Sequence, residues 1–113
     1  MSERYTLVAT PTFKITLRKL LRFLDQRYGA QAAQVARHSI RQRVEQLSDH
    51  PTSAPISERL AALGFNSYRQ LCVDEHNLVI YRIDESAKKI ILVVAMDTRQ
   101  SIEQLLYEVT IEI

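Results

Sequence analysis

Two hydrophobic periods divide the chain. Between Phe13 and Tyr28, the apolar residues Leu17, Leu20, Leu21, Leu24 and Tyr28 recur every three or four positions, with Arg18, Lys19 and Arg22 between them. That spacing puts the apolar side chains on one stripe of a helix. Thr12 is placed to cap its start, where a hydroxyl accepts a free backbone N–H, and Gly29 to end it. Ala33, Ala36, Ile40, Val44 and Leu47 predict a second helix from about Ala30 to Ser48. It stops at Asp49-His50-Pro51, because the residue before a proline avoids the helical region. Two helices joined at one glycine make an antiparallel hairpin.

The rest of the chain is patterned as sheet. Arg4 to Ala9 alternates and predicts a first strand, broken by Thr10-Pro11-Thr12. Pro51 to Asn66 is a connection in which Ser57 caps a short helix, Glu58 to Leu63, closed by Gly64. Three strands follow: Tyr68 to Val73, Leu78 to Ile83 and Lys89 to Met96. Their short polar turns make them an antiparallel meander. The last strand is apolar on both faces and is therefore expected at the centre. Asp97 or Thr98 is expected to cap a final helix, Ile102 to Tyr107. Val109 to Ile113 alternates with period two and is expected to extend the sheet or pair with a partner. Helices grouped ahead of an antiparallel sheet predict an α+β fold, a single domain over residues 1–113.

Composition narrows the chemistry. The 113 residues can bury one modest core. The one cysteine, Cys72, excludes an internal disulfide and a cysteine-based zinc site. It alternates opposite Arg69, which predicts that it is buried. Met1-Ser2-Glu3-Arg4 carries no apolar leader, and the run Ile90 to Met96 is too short to span a bilayer. A soluble, cytoplasmic protein is expected. With only Gly29 and Gly64, a glycine-rich phosphate loop is excluded. His38, His50 and His76 share no ligand spacing, so neither a metal nor a cofactor is expected.

Charge is uneven along the chain. Lys14 to Leu47 holds eight basic residues against Asp25 and Glu45, a balance of +6, within a chain of net charge +2. A basic half attracts nucleic acid or an acidic protein segment. Otherwise it is simply the solvated face of two helices.

Several residue strings carry a family resemblance. Tyr68-Arg69-Gln70-Leu71, Leu78-Val79-Ile80-Tyr81-Arg82-Ile83 and Ile90-Ile91-Leu92-Val93-Val94-Ala95 resemble, in order, the second, third and fourth strands of the RelE/ParE toxin superfamily. Met96-Asp97-Thr98-Arg99 falls where that family places a short polar motif ending in arginine. The resemblance implies a toxin of a type II toxin–antitoxin (plasmid-stabilisation) system, encoded beside an antitoxin that wraps it in a hetero-oligomer.

The superfamily has two branches. RelE-like members cleave mRNA on the ribosome, and ParE-like members inhibit DNA gyrase. RNA cleavage needs a base, an acid and a cation for the developing phosphorane charge. Alternation puts Arg69, Leu71 and Val73 on one face, expected to be shared by Leu78, Ile80 and Arg82. The positions matched to a RelE-like arginine and lysine are Leu78 and Leu71. An apolar face suits a protein partner better than phosphate. The ParE-like branch is therefore favoured, with Arg69, Leu71, Leu78, Ile80, Arg82 and Arg99 as the expected surface for target or antitoxin. Candidates for catalysis under the RelE-like alternative are Arg69, His76 and Tyr107. A third alternative is a non-toxic interaction module. Arg69 could instead pair with Asp97 or Glu103, and Arg82 with Asp84 or Glu85.

Overall fold

A computed structural model describes residues 4–112. The expectations for Met1 to Glu3 and for Ile113 lie outside them. The elements are β1 (Thr6–Ala9), α1 (Pro11–Tyr28), α2 (Ala30–Gln46), α3 (Glu58–Ala61), β2 (Arg69–Cys72), β3 (Asn77–Asp84), β4 (Lys89–Asp97) and α4 (Ile102–Glu112). The sheet order is β1-β4-β3-β2, with β1 parallel to β4 and the other pairs antiparallel. The predicted α+β arrangement is present, and the apolar β4 is an inner strand.

The first helix starts two residues earlier than its pattern implied. Thr10, not Thr12, is the cap, its hydroxyl accepting the Phe13 N–H at 3.0 Å. Pro11 opens the helix, where a residue without an N–H costs nothing. Gly29 then reverses the chain at φ 98°, a conformation that a side chain strongly disfavours.

Three layers result. One face of the sheet carries α1 and α2, with Leu20, Leu24, Ile40 and Val44 packed on Leu71, Val79, Tyr81 and Ile90. The other carries α4, with Ile102 and Leu105 over Leu78, Ile80, Val94 and Met96, joined by Leu60 of α3. The buried positions Ile102, Leu105 and Val109 follow helical spacing. The alternating tail is therefore not a strand. As far as Glu112 it continues α4. Ser101 accepts the Gln104 N–H at 3.2 Å, in place of the expected cap at Asp97 or Thr98.

The stripe of α1 is rotated from expectation. The residues it buries are Phe13, Thr16, Leu20 and Leu24, while Tyr28 is half exposed. Thr16 explains the rotation. β1 accompanies β4 only to the Ala9–Leu92 pair, whereas β4 continues to Asp97. Further along β4, the Ala95 N–H donates to the Thr16 hydroxyl at 3.0 Å. That hydroxyl in turn faces the Thr12 and Phe13 carbonyls at 2.9 and 3.1 Å. Thr16 is fully buried, so helix and strand are joined by a polar contact shielded from water.

Replacing Thr16 by Val keeps the shape and orphans the Ala95 N–H. Thr16→Val should lower unfolding free energy by about 1–3 kcal/mol, the range for a buried donor left unsatisfied. Thr16→Ser should lose less. Denaturant unfolding of both variants checks this, and equal stability of Thr16→Val and wild type would refute it.

Candidate functional site

The strand register decides which expected site residues share a face. Arg69 pairs with Tyr81 and Leu71 with Val79, whereas Gln70 and Cys72 pair with Ile80 and Leu78. Residues directly opposite across a ladder point the same way. Arg69, Leu71 and Val73 therefore face the α1–α2 layer, and Leu78 and Ile80 face α4. The single face expected to hold them together does not form, because the β2 and β3 registers differ from expectation by one residue. Leu71, Leu78 and Ile80 are also buried, the last two completely. None of the three is accessible to a partner in this conformation. Cys72, expected inside, is exposed, because it points away from α1 and α2 at the edge of the sheet.

The arginines are held by the chain itself. Arg69 donates from Nη1 to the Ala54 carbonyl at 2.6 Å, and the adjacent Tyr81 hydroxyl donates to the Pro51 carbonyl at 2.6 Å. Both side chains pin the connection between α2 and α3 against the sheet, and Arg69 pairs with neither Asp97 nor Glu103. Burial raises the Tyr81 pKa above its ordinary value, partly offset by the Ala54 backbone and the Arg69 charge. Arg82 is half-buried opposite Ile91. It does not pair with Asp84 or Glu85. Glu85 instead accepts from the Tyr5 hydroxyl at 2.8 Å and lies 4.0 Å from Lys88.

Arg99 sits in a polar cluster with Asp97 and Tyr28. Its Nε and Nη2 donate to the two oxygens of the buried Asp97 carboxylate at 2.7 and 2.5 Å, and its backbone N–H to the same group at 2.8 Å. Nη1 meets the Tyr28 hydroxyl, and the guanidinium lies 4.8 Å from the Tyr28 ring centroid. Sequence pattern had assigned Tyr28 to the core and Asp97 to a helix cap. The sequence signal for the Asp97–Arg99 pair is the acid–x–Arg spacing after a central strand; none marks Tyr28. Asp97 also neutralises a cation that would otherwise oppose the dipole of α4.

The catalytic candidates are not brought together. Arg69 opens β2 on the α1–α2 side, and four residues, roughly 16 Å of extended chain, separate it from the start of the turn at Asp74. His76 lies in that turn, its Nδ1 3.5 Å from the Thr98 hydroxyl. Tyr107 stands on the outer surface of α4, 64% exposed. Among the described residues, no group of three His, Cys, Asp or Glu side chains is placed to hold a metal, and no helix is long and apolar enough to cross a membrane.

The accessible charge lies on the helices. Lys14, Arg18 and Arg37 flank an outer groove between α1 and α2 whose floor is Leu17 and Leu21. A second cleft, of about 370 Å³, opens between α1 and α4, with Lys19, Arg22 and Arg99 in its walls.

A family model, the ParE toxin of the type II toxin–antitoxin system parDE, matches residues 7–102. The chain belongs to the ParE toxin family. Two solved structures share the fold of this ParE-family toxin. The chromosomal ParDE TA system from P. aeruginosa is 18% identical, with a TM-score of 0.68 over 87% of this chain and 100% of that one. The toxin–antitoxin complex RelBE2 from Mycobacterium tuberculosis is also 18% identical, with a TM-score of 0.54 over 83% of this chain and 98% of that one. No curated protein matches in sequence.

The Asp97–Arg99 pair gives the toxin a defined acid response. Burial pushes the Asp97 carboxyl up, but the hydrogen bonds and charge of Arg99 outweigh it, so the net shift is below the ordinary 3.8. A carboxyl lowered in the folded state adds stability above its unfolded pKa, and that stability is lost as pH falls through the folded value. Wild type should therefore exceed Asp97→Asn in stability at neutral pH, and the gap should close below about pH 4. Thermal unfolding across this range checks it. A gap that does not change with pH would rule out the ion pair as its source.

Proposed function

We propose that this ParE-family toxin acts by binding a protein, DNA gyrase, rather than by cutting RNA, and that a cognate antitoxin neutralises it. The observation that carries the proposal is the state of the sheet. The face bearing Leu78 and Ile80 is apolar and covered by α4. Arg69, the cation of β2, is spent on the Ala54 carbonyl. A phosphodiester in flight needs unspent cations and a positioned proton carrier, and the sheet offers neither as one constellation.

The residues available to an antitoxin are then those of the helices. The α1–α2 groove combines an apolar floor with basic walls, which suits an amphipathic acidic helix or strand. Leu71, Leu78 and Ile80 support such binding only from within, by holding the helices in place. The cytoplasm, where gyrase works, is the compartment this proposal requires.

Induced expression should arrest growth and should be relieved by co-expressing the protein encoded next to the gene. Purified toxin should lower gyrase supercoiling at stoichiometric concentration while translated messages stay intact. Normal supercoiling together with cuts in translated messages would reverse the assignment to the RelE-like alternative. Arrest-free expression without an antitoxin would leave a non-toxic interaction module.

A further inference from the structure

Two helical stripes face each other across the cleft between α1 and α4. On α1 they are Lys19, Arg22 and Phe23; on α4, Gln104, Leu105 and Glu108, with Ser101 capping its start. Both follow the spacing of a single helix face. One end of the cleft is closed by the Lys19–Glu108 ion pair at 3.1 Å. The other end opens at Arg22 and Arg99.

Arg99 is pre-positioned there. A guanidinium has five N–H donors. Two go to the Asp97 side chain and one to Tyr28. Two are left, one on Nη1 and one on Nη2. The side chain is 39% exposed, against none for Asp97 behind it. Its fork is therefore fixed before any ligand arrives, which lowers the entropy lost on binding. Arg22 is exposed and has no acidic partner among the described residues. The start of α4 adds the positive end of its dipole. With Lys19 paired to Glu108 and Arg99 to Asp97, the charge of Arg22 is left over, so the open end of the cleft keeps a net positive balance that favours an anion.

The remaining lining selects the kind of anion. Phe23 and Leu105 give apolar contact and Gln26 an amide able to bond a peptide group. About 370 Å³ takes a few side chains of an extended segment. A nucleic-acid backbone needs a longer run of phosphate contacts and gains nothing from Phe23 and Leu105. We propose that this cleft receives a carboxylate-bearing peptide segment of the antitoxin, held by Arg22 and the fixed fork of Arg99. The proposal deepens the antitoxin reading and rests on it, but it does not depend on the identity of the toxin's target.

The test uses the purified full chain, with no gyrase and no growth assay, so that failure here is separable from failure of the target assignment. The probe is a short blocked peptide alternating glutamate, leucine and aspartate. Its glutamine and asparagine counterpart and a single-stranded RNA of equal length are the comparisons. NMR of the isotope-labelled chain should show the acidic peptide shifting the amides of Arg22, Gln26, Arg99, Ser101 and Gln104. Arg22→Gln, a surface change, should weaken binding about tenfold or more, as loss of a charged hydrogen bond does. Arg99→Lys should weaken it similarly, because lysine keeps the charge but not the fork. Lys89→Gln, on the far end of β4, should bind as wild type does. Shifts confined to Lys14, Leu17 and Arg37, equal binding of the neutral peptide, tighter binding of the RNA in this cleft, no binding at all, or indifference to Arg22→Gln would each overturn the proposal.

Discussion

The structure turns on how β4 is held once β1 has ended. β4 is apolar on both faces and has a helical layer on each side. Sheet pairing on the β1 side reaches only Leu92. The bond from the Ala95 N–H to Thr16 fixes the depth and rotation of α1 against the strand beyond that point. A greasy stripe alone tolerates sliding, because burial is not directional. A buried polar contact does not, because moving it strands a donor. With α1 set, Gly29 sets α2, and the C-terminal end of α1 carries Tyr28 to Arg99.

Most of the fold was legible because it rests on period. Both hairpin helices, the meander and the inner position of β4 follow from spacing and turn residues. The errors have a common physical source: periodicity places residues relative to their own element, not to the next. Thr16 does not stand out on α1 because a hydroxyl reads as polar, yet its neighbours make it core. The face shared by β2 and β3 was misjudged by one residue, since register is set by the turn and by pairing rather than by either strand. The final alternation at Val109 was ambiguous. Two apolar residues at Ile102 and Leu105 decide for helix, because they bring Val109 onto the same stripe.

The candidate site was less legible, for a different reason. Arginines in a family-like motif read as contacts for a partner. Two of them serve internal carbonyls and carboxylates instead, Arg69 on Ala54 and Arg99 on Asp97. Those partners lie in a connection and just beyond a strand, where no hydrophobic period marks a neighbour. Arg69 is consumed by its role. Arg99 is not, since a bidentate carboxylate and one phenol leave part of its fork unfilled.

The same layering explains where binding chemistry can reside. A sheet covered on both sides offers little surface, and its apolar residues hold the layers together. Recognition is left to the outer helix faces and to the seams between layers. In this chain those are the places where Lys14, Arg18, Arg22, Arg37 and Arg99 collect. The +6 balance of the helical half is thus more than solvation of two rods. Its charges flank grooves whose floors are leucine and phenylalanine. Phosphate recognition gains from the charge alone, whereas an acidic peptide with apolar side chains gains from both. Cationic walls over apolar floors therefore favour a protein ligand over a nucleic acid.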